Sequence, residues 1–291
     1  MSVDAGASYE EKFSALNQQL RWEVADELRL ANLDAVNEVH ESVRPMDSFY
    51  VRRGKRLMDI GLSGVALVLT APINAALFGI TLVDLGRPVL FSQKRIGKDG
   101  GLFVITKLRT MRDINDDQGR PLLGQQRVTK LGRLVRRSSL DELLNFWSIF
   151  KGDMSVIGPR PLVPEYHSRF SRRHVQRHSV RPGLECPQRR QLDHAASYEE
   201  QFENDIWYVE NVSLRTDLYM MFRVVQTALD RRQNKARGAS NRGSFMGYDE
   251  QGHVVTTKNL PEWAIDRVLK RHGRLDESHV AQKDETETSS N

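Results

Sequence analysis

Asp141 and Glu142 stand side by side in the segment RRSSLDELLNFWSIFKGDMSVIGPRP, residues 136–161, and five cations, Arg127, Lys130, Arg133, Arg136 and Arg137, precede them. An ionised carboxylate in such company suits a nucleophile, a ligand for Mg2+, or a helix cap. Ser139 followed three residues later by Glu142 has the spacing of a capping box. The sequence therefore predicts a helix starting here, with Leu140, Leu143, Leu144, Trp147 and Phe150 on its apolar face and both acids in its first turn. The exposed amides of that turn favour acids for structural reasons alone, and the same field lowers a carboxylate pKa and keeps it ionised. On these residues, cap and nucleophile both stand.

More positive charge lies at fixed places elsewhere. Gly158-Pro159-Arg160-Pro161 holds an arginine between two prolines, and Val180-Arg181-Pro182-Gly183 is a second such element. A guanidinium with restricted backbone freedom makes a good phosphate clamp, although a turn with a solvated arginine explains either tetrapeptide equally well. Lys107 and Arg109, at the end of an expected strand, add to the set. Cations from separated stretches repel one another unless an anion such as a metal-bound diphosphate holds them together. Asp205 sits among Phe202, Trp207 and Tyr208 and is an unusual acid for an aromatic surround. His167, His174, His178 and His194 lack metal-ligand spacing and read as surface or capping residues, so zinc is not expected. Gly97 and Gly100-Gly101 match no nucleotide-binding fingerprint and read as a hairpin turn.

The elements that must position these groups begin with a membrane segment. Ile60 to Val83 carries no charge, has Pro72 at its middle, and is flanked by Arg52, Arg53, Lys55 and Arg56 on one side and Arg87, Lys94, Arg95 and Lys98 on the other. Its 24 residues would reach across a layer of about 30 Å, yet a crossing helix would put one basic flank on the wrong side. Pro72 removes a backbone donor and Asn74 adds polarity, so two half-helices entering and leaving by one face are expected, a re-entrant hairpin in one leaflet.

After it, PVLFSQKRIGKDGGLFVITKLRTM, residues 88–111, reads as a β-hairpin, and 112–126 as a polar loop. Helical patterns return at 127–151 and 197–230, with a loop rich in Pro and Arg between them. Residues 1–50 carry Phe13, Leu16, Leu20, Trp22, Val24, Leu28, Leu30, Leu33 and Val36 at near-helical spacing, an amphipathic face for packing on the main domain or on a second copy. One further helix is expected at 260–272, ahead of a tail too polar to bury a core.

The 291 residues carry a formal charge of +5. That balance serves anionic lipid, phosphorylated substrates or nucleic acid, but the aromatics fall on apolar faces rather than between the cations, so nucleic acid ranks last. A single cysteine, Cys186, agrees with a reducing compartment, and no basic region followed by an apolar run opens the chain, so no secretory signal is expected.

Taken in order, KRLMDIGLSGVALVLTAPI, the hairpin segment, RVTKLGRLVRRSSLDELLNFWSIFKGDMSVIGPRPLVPEY, RHSVRPG and EEQFENDIWYVENVSLRTDL resemble the bacterial sugar transferase family, the monotopic phosphoglycosyl transferases that begin polyprenol-linked glycan assembly. The resemblance covers residues 52–230. It implies transfer of a sugar 1-phosphate from a nucleotide diphosphate sugar, with a UDP-sugar as the expected donor, to polyprenyl (undecaprenyl) phosphate. Such a step initiates exopolysaccharide, capsule, O-antigen or glycoconjugate synthesis. The resemblance further implies Mg2+, held by Asp141 and Glu142, and an aspartyl phosphosugar formed on Asp141 with Glu142 assisting metal or proton handling. Lys107, Arg137, Arg160 and Arg181 match the family's phosphate-binding cations, Arg109 belongs with them as substrate-binding, and Asp205 matches the acid of its aromatic segment. The family's Ser-Pro helix breaker is Ala71-Pro72 here.

The expected fold is α+β and mostly helical: a re-entrant membrane helix hairpin plus a compact cytoplasmic catalytic domain with a small β-hairpin, lying at the cytoplasmic face of the bacterial inner membrane. The expected units are an N-terminal amphipathic helical extension (1–50), the membrane helix (51–86), the catalytic domain (87–230) and a polar C-terminal extension (231–291). Membrane lipid and a homodimer partner are expected companions. One departure stands out. Where the family carries a stretch close to ITGWAQVNGRN, this chain has Leu184 to His194, LECPQRRQLDH, without its glycines or Trp and with Asp193 at the place of its Arg. Pro187 restricts that backbone, which puts sugar and nucleotide preference in question and keeps open a competing reading as a non-enzymatic membrane adaptor.

Overall fold

The computed structural model describes residues 3–4, 6–114, 124–190, 192–229 and 242–276. A short strand β1 (Val3–Asp4) leads into helices α1 (Tyr9–Ala15) and α2 (Gln18–Val39). Ser8 and Glu11 close a capping box on α1, and the Asn17 side chain accepts from the Leu20 amide at 2.9 Å to start α2. Leu20, Val24, Ala25 and Leu28, spaced three or four apart with their immediate neighbour, are all buried. The N-terminal stripe is therefore a packing face within this chain.

A single turn of π-helix (Tyr50–Gly54) opens α3 (Lys55–Leu85), which carries Pro72 within one continuous helical segment. Pro72 withholds a donor from the turn before it, and the Thr70 hydroxyl makes its own bond to the Ala66 carbonyl at 2.7 Å while receiving Asn74 Nδ2 at 3.4 Å. The middle of α3 turns its apolar side chains outward: Val65, Val68, Leu69 and Val83 are exposed, Val83 by 89%. Both ends are tied to the rest of the chain. At the start, Lys55 pairs with Asp217 at 2.8 Å, Asp59 Oδ1 accepts from Ser155 Oγ and the Val156 amide at 2.9 and 3.0 Å, and Arg56 donates to the Ile149 and Phe150 carbonyls. At the finish, Leu77 joins the buried cluster of Val89, Leu108 and Val135.

Strands β2 (Leu90–Ile96) and β3 (Leu102–Leu108) form the expected antiparallel hairpin, with Arg95 opposite Phe103 and Lys107 opposite Phe91. Of the expected loop at 112–126, residues 115–123 lie outside the described residues, and Gly124–Arg127 make a helical turn, α4. The predicted helical stretch at 127–151 is broken into three: α5 (Lys130–Arg137), a 3-10 turn (Leu140–Glu142) and α6 (Asn145–Lys151). Thr129 caps α5 by accepting from the Gly132 amide at 2.8 Å. Gly132 is required because a Cβ there would sit 2.2 Å from the Thr110 carbonyl oxygen, so α5 lies directly on the chain leaving β3.

Two short parallel strands, β4 (Ser155–Ile157) and β5 (Gly183–Glu185), bring the two arginine-proline loops together. The approach is so close that a Cβ on Gly183 would lie 2.1 Å from the Gly158 nitrogen. Helices α7 (Tyr198–Glu210) and α8 (Leu214–Leu229) follow, α7 beginning in a capping box of Ser197 and Glu200. Phe202, Ile206, Tyr208 and Val209 bury its inner face.

The C-terminal segment adds what the sequence reading did not anticipate, a hairpin of β6 (Phe245–Tyr248) and β7 (Val254–Thr256). The expected last helix is α9 (Glu262–Arg271), and β8 (Leu275–Asp276) pairs parallel to β1. Leu16, Leu20, Val24 and Leu28 share one core with Met246, Val255, Ile265, Val268 and Leu269. The two ends of the chain thus close on each other as one lobe, seated on the 3-10 segments Pro164–Arg169 and His174–Ser179. The architecture is α+β and mostly helical.

Candidate active site

The two carboxylates lie on the turn between α5 and α6, not in the first turn of a helix. Ser139 takes the left-handed conformation (φ 55°, ψ 21°) and makes no side-chain cap. An N-cap needs extended backbone, so a left-handed Ser139 closes no capping box. Glu142 reaches elsewhere: its Oε1 receives Lys107 Nζ at 2.5 Å and Arg160 Nη2 at 3.1 Å.

The electrostatics separate the pair. Burial works against the Glu142 charge, but the Arg160 guanidinium and the hydrogen bond from Lys107 outweigh it and hold this carboxyl below its usual range. Asp141 goes the other way. Burial, helped by the neighbouring Glu142 charge and opposed by Lys107, pushes its carboxyl up. The lowering expected from a helix dipole is absent because no helix starts here. Among the described residues no other side chain hydrogen-bonds Asp141, so one acid is locked between cations and its neighbour has no side-chain partner.

Of the five named cations, two touch the dyad and one is turned away from it. Lys107 projects from the inner face of β3, and Arg160 comes from the proline-bracketed loop after β4. Arg137 ends α5 two residues before the Ser139 turn and is exposed, with no ion pair among the described residues. Arg181 donates its Nε to the Gly152 carbonyl at 2.9 Å, which fixes the start of its guanidinium beside the loop that follows α6. Arg109, expected on the substrate, is turned away: its Nη2 donates to the Leu85 and Gly86 carbonyls, where α3 ends with its last acceptors unsatisfied. It is a clasp between the apolar helix and β3.

Asp205 also departs from its expected place. Its side chain is 1% exposed and receives both Nε and Nη2 of Arg177, at 3.0 and 2.6 Å, deep under the aromatic segment. Arg177 Nη2 in turn donates to the Arg160 carbonyl at 2.9 Å, so Asp205 reaches the site only through the backbone of the clamp loop. His174 and His178, read as surface residues, are buried at 2% and 6% exposure, while His194 is exposed beside Asp193 and Glu200. Sequence reasoning named neither Arg177 nor Tyr248 as contributors. Arg177 stands four residues before Arg181 in RHSVRPG, where a buried partner leaves no signal in spacing.

The divergent stretch after Gly183 is tied to the helices behind it. Asn204 spans it, donating to the Pro187 carbonyl at 3.2 Å and accepting the Arg189 amide at 2.9 Å, and Tyr219 donates to the Arg189 carbonyl at 2.9 Å. Pro187 and Gln188 present carbonyls that α7 and α8 use, so the stretch takes a fixed course without glycines, residue 191 lying outside the described residues.

As a holder of Mg2+, the site offers two adjacent carboxylates and, among the described residues, no group of three or more His, Cys, Asp or Glu. That donor set fits a hard cation that takes one or two carboxylates and completes its octahedron with water and substrate phosphate, rather than a metal held in an all-protein cage.

Comparison with known proteins agrees with the motifs. The sequence model of the bacterial sugar transferase family matches residues 50–231. The sugar transferase EpsL of Bacillus subtilis is 37% identical over 175 residues, 60% of this chain and 87% of EpsL. A UDP-N-acetylgalactosamine-undecaprenyl-phosphate N-acetylgalactosaminephosphotransferase of Aeromonas hydrophila is 34% identical over 183 residues, 60% of this chain and 43% of that protein. A UDP-glucose:undecaprenyl-phosphate glucose-1-phosphate transferase of Klebsiella pneumoniae is 33% identical over 181 residues, 59% of this chain and 39% of that protein. The chain thus spans less than half the length of these last two relatives. The paired acids, the hairpin and the two arginine-proline loops all fall inside the matched region, and the chain belongs to the bacterial sugar transferase family.

Proposed function

We propose that this protein is a phosphoglycosyl transferase that moves a sugar 1-phosphate from a UDP-sugar to undecaprenyl phosphate at a membrane surface. The observation that carries the reading is the contrast within the dyad: Glu142 clamped by Lys107 and Arg160, Asp141 beside it without a side-chain partner.

A nucleoside diphosphate sugar, a lipid phosphate and a carboxylate nucleophile are all anionic, so fixed cations must offset their repulsion and stabilise charge on the transferring phosphoryl oxygens. In this reading an Asp141 oxygen attacks the phosphorus that bears the sugar. The bond from that phosphorus to the bridging oxygen breaks, and nucleoside monophosphate leaves with the bridging oxygen and its electron pair. A lipid phosphate oxygen then attacks the same phosphorus, giving the lipid diphosphate sugar and restoring the Asp141 carboxylate. Lys107, Arg160, Arg181 and the exposed Arg137 hold phosphate oxygens, and Glu142 keeps Lys107 and Arg160 convergent. Asp141 and Glu142 are the residues that would hold Mg2+, which would supply further charge neutralisation.

The apolar helix supports the membrane part of the reading. Its start is bound to Ser155 and its finish to the Leu108 cluster, both in the domain that carries the dyad, while the stretch between them exposes Val65, Val68 and Leu69. A domain gripping both ends sits on one side of a bilayer, which favours a re-entrant anchor on the cytoplasmic face over a crossing. The anchor holds the dyad at the level of a lipid phosphate and turns the search for acceptor into a two-dimensional one.

The test incubates purified protein with Mg2+, undecaprenyl phosphate and a panel of nucleotide sugars while following nucleoside monophosphate release. The wild type is expected to release it with at least one donor and to carry labelled phosphosugar on Asp141 when acceptor is withheld. Equal release above a protein-free blank by wild type and Asp141→Asn would overturn the nucleophile, and no release by the wild type with any donor would leave the adaptor reading standing.

A further inference from the structure

The lobe built from the two ends of the chain lies mostly outside the matched residues 50–231, yet two sets of polar contacts, joined through the backbone of the 3-10 segment His174–Ser179, run from it to the dyad. Tyr248, on β6 of the lobe, has its hydroxyl 2.8 Å from His174 Nδ1, and the other ring nitrogen, Nε2, lies 2.8 Å from Glu203 Oε1. Glu203 is held in turn by both Nε and Nη2 of Arg173, at 2.8 and 2.7 Å, and these partners keep its carboxyl well below the usual range. His174 and Arg177 stand three residues apart on the same 3-10 segment, where side chains at that spacing project from one side. Arg177 grips Asp205 on α7 and, through Nη2, the carbonyl of Arg160, whose guanidinium reaches Glu142. Around this hinge the lobe makes further contacts: Arg169 donates to the Phe245 carbonyl at 2.9 Å, the Arg172 amide to Asn37 Oδ1 at 2.6 Å, and His40 Nδ1 lies 2.9 Å from Ser171 Oγ.

We infer that the terminal lobe sets the position of the Arg160 clamp, with Tyr248 acting as a positioning residue through His174 and Arg177. The middle of the series is buried. His174 is 2% exposed, Arg177 and Asp205 1% each, and Tyr248 2%, so their contacts operate where water competes little and a shift at Tyr248 has little slack to absorb it before Arg177. The substrate role of Arg160 rests on the phosphotransfer reading given above. The mechanical link from Tyr248 to the clamp loop does not.

Two measurements on the full chain keep those apart. Hydrogen exchange reads the link without turnover: Tyr248→Phe is expected to raise exchange at the Gly158, Arg160 and Leu162 amides by about five-fold or more, reflecting easier local opening. Lys12→Met, which removes the Lys12 pair with Asp266 at the far side of the lobe, is the control and is expected to leave those amides unchanged. Wild-type exchange in Tyr248→Phe, or an equal rise in Lys12→Met, overturns the inference. Steady-state kinetics then read its consequence: Tyr248→Phe is expected to raise KM for the nucleotide sugar by roughly three- to ten-fold, with KM for the lipid phosphate unchanged, since a misplacement of about 1 Å is enough to weaken binding at a site. Its effect is expected to be non-additive with that of Arg160→Lys, whereas residues this far apart with no coupling add. Additive effects overturn it. Absence of turnover in the wild type would count against the phosphotransfer reading and leave the exchange result to decide the link.

Discussion

Lys107 and Glu142 meet at 2.5 Å although 35 residues separate them, one on the inner face of a β-hairpin and the other on a turn between helices. Each is only about one-fifth exposed, so the pair is screened from solvent yet open on the side that Asp141 shares. An ion pair of this kind contributes by holding a cation where phosphate charge will arrive, more than by stabilising the fold.

Lys107→Met follows from that placement. Glu142 keeps Arg160 and stays ionised, so the fold is retained, while one of the fixed charges facing the transferring phosphoryl group is lost. Turnover is expected to fall by about 10²- to 10³-fold, the range seen when one preorganised transition-state donor is removed. Nucleoside monophosphate release under saturating donor, beside a thermal melt that stays near wild type, checks both halves.

The raised Asp141 carboxyl gives a pH dependence with a definite sign. The nucleophile is the ionised form, so the single-turnover rate is expected to fall as pH drops through the folded pKa, with a midpoint above the unperturbed value of about 3.9. Lys107→Met removes the charge that opposes the shift and is expected to move the acid limb higher still. Stability runs the other way. A carboxyl whose folded pKa exceeds its unfolded one contributes fully below the unfolded pKa and loses that contribution as pH rises through the folded one. Asp141→Asn is therefore expected to raise the melting temperature at pH 7 and to leave it unchanged near pH 3.

Arg109 separates clasp from ligand. If its guanidinium works on the Leu85 and Gly86 carbonyls, Arg109→Gln loosens the joint between α3 and β2, and limited proteolysis or hydrogen exchange at residues 84–90 should rise. KM for the nucleotide sugar should stay within about two-fold of wild type, as expected of a residue outside the binding contacts. A large rise in that KM with unaltered exchange would return Arg109 to the substrate.

Local signals served the sequence reading well where local physics decides. The hairpin of residues 90–108 was visible from two apolar runs about a glycine turn, and α7 from Ser197 and Glu200, whose capping box forms. Ser139 and Glu142 have the same spacing and form none: Ser139 is left-handed, and Glu142 pairs with Lys107 and Arg160, which arrive from distant segments. Arg109 is expected on the substrate from its place beside Lys107 at the strand end, and Asp205 from the resemblance. Their partners are a helix-end carbonyl and a buried guanidinium, neither of which has a signature in residue spacing. The lobe was hidden for the same reason: Asn32 donates to the Tyr248 carbonyl across 216 residues, and a four-residue strand containing Gly247 carries little periodicity of its own.

The membrane reading makes a prediction about sidedness. Arg53 lies in the turn before α3 and Arg87 just after it, and both adjoin segments fixed to one domain: Lys55 to Asp217, and the Leu85 carbonyl to Arg109. A crossing helix of 31 residues would span about 46 Å and place these positions on opposite faces. Single cysteines Arg53→Cys and Arg87→Cys, introduced with Cys186→Ser, are therefore expected to share one fate. Neither should react with a membrane-impermeant maleimide added to intact spheroplasts, and both should react in inverted vesicles. Labelling of one position from each side would mean that α3 crosses the bilayer, and the domain could not then hold both of its ends as Ser155 and Arg109 do.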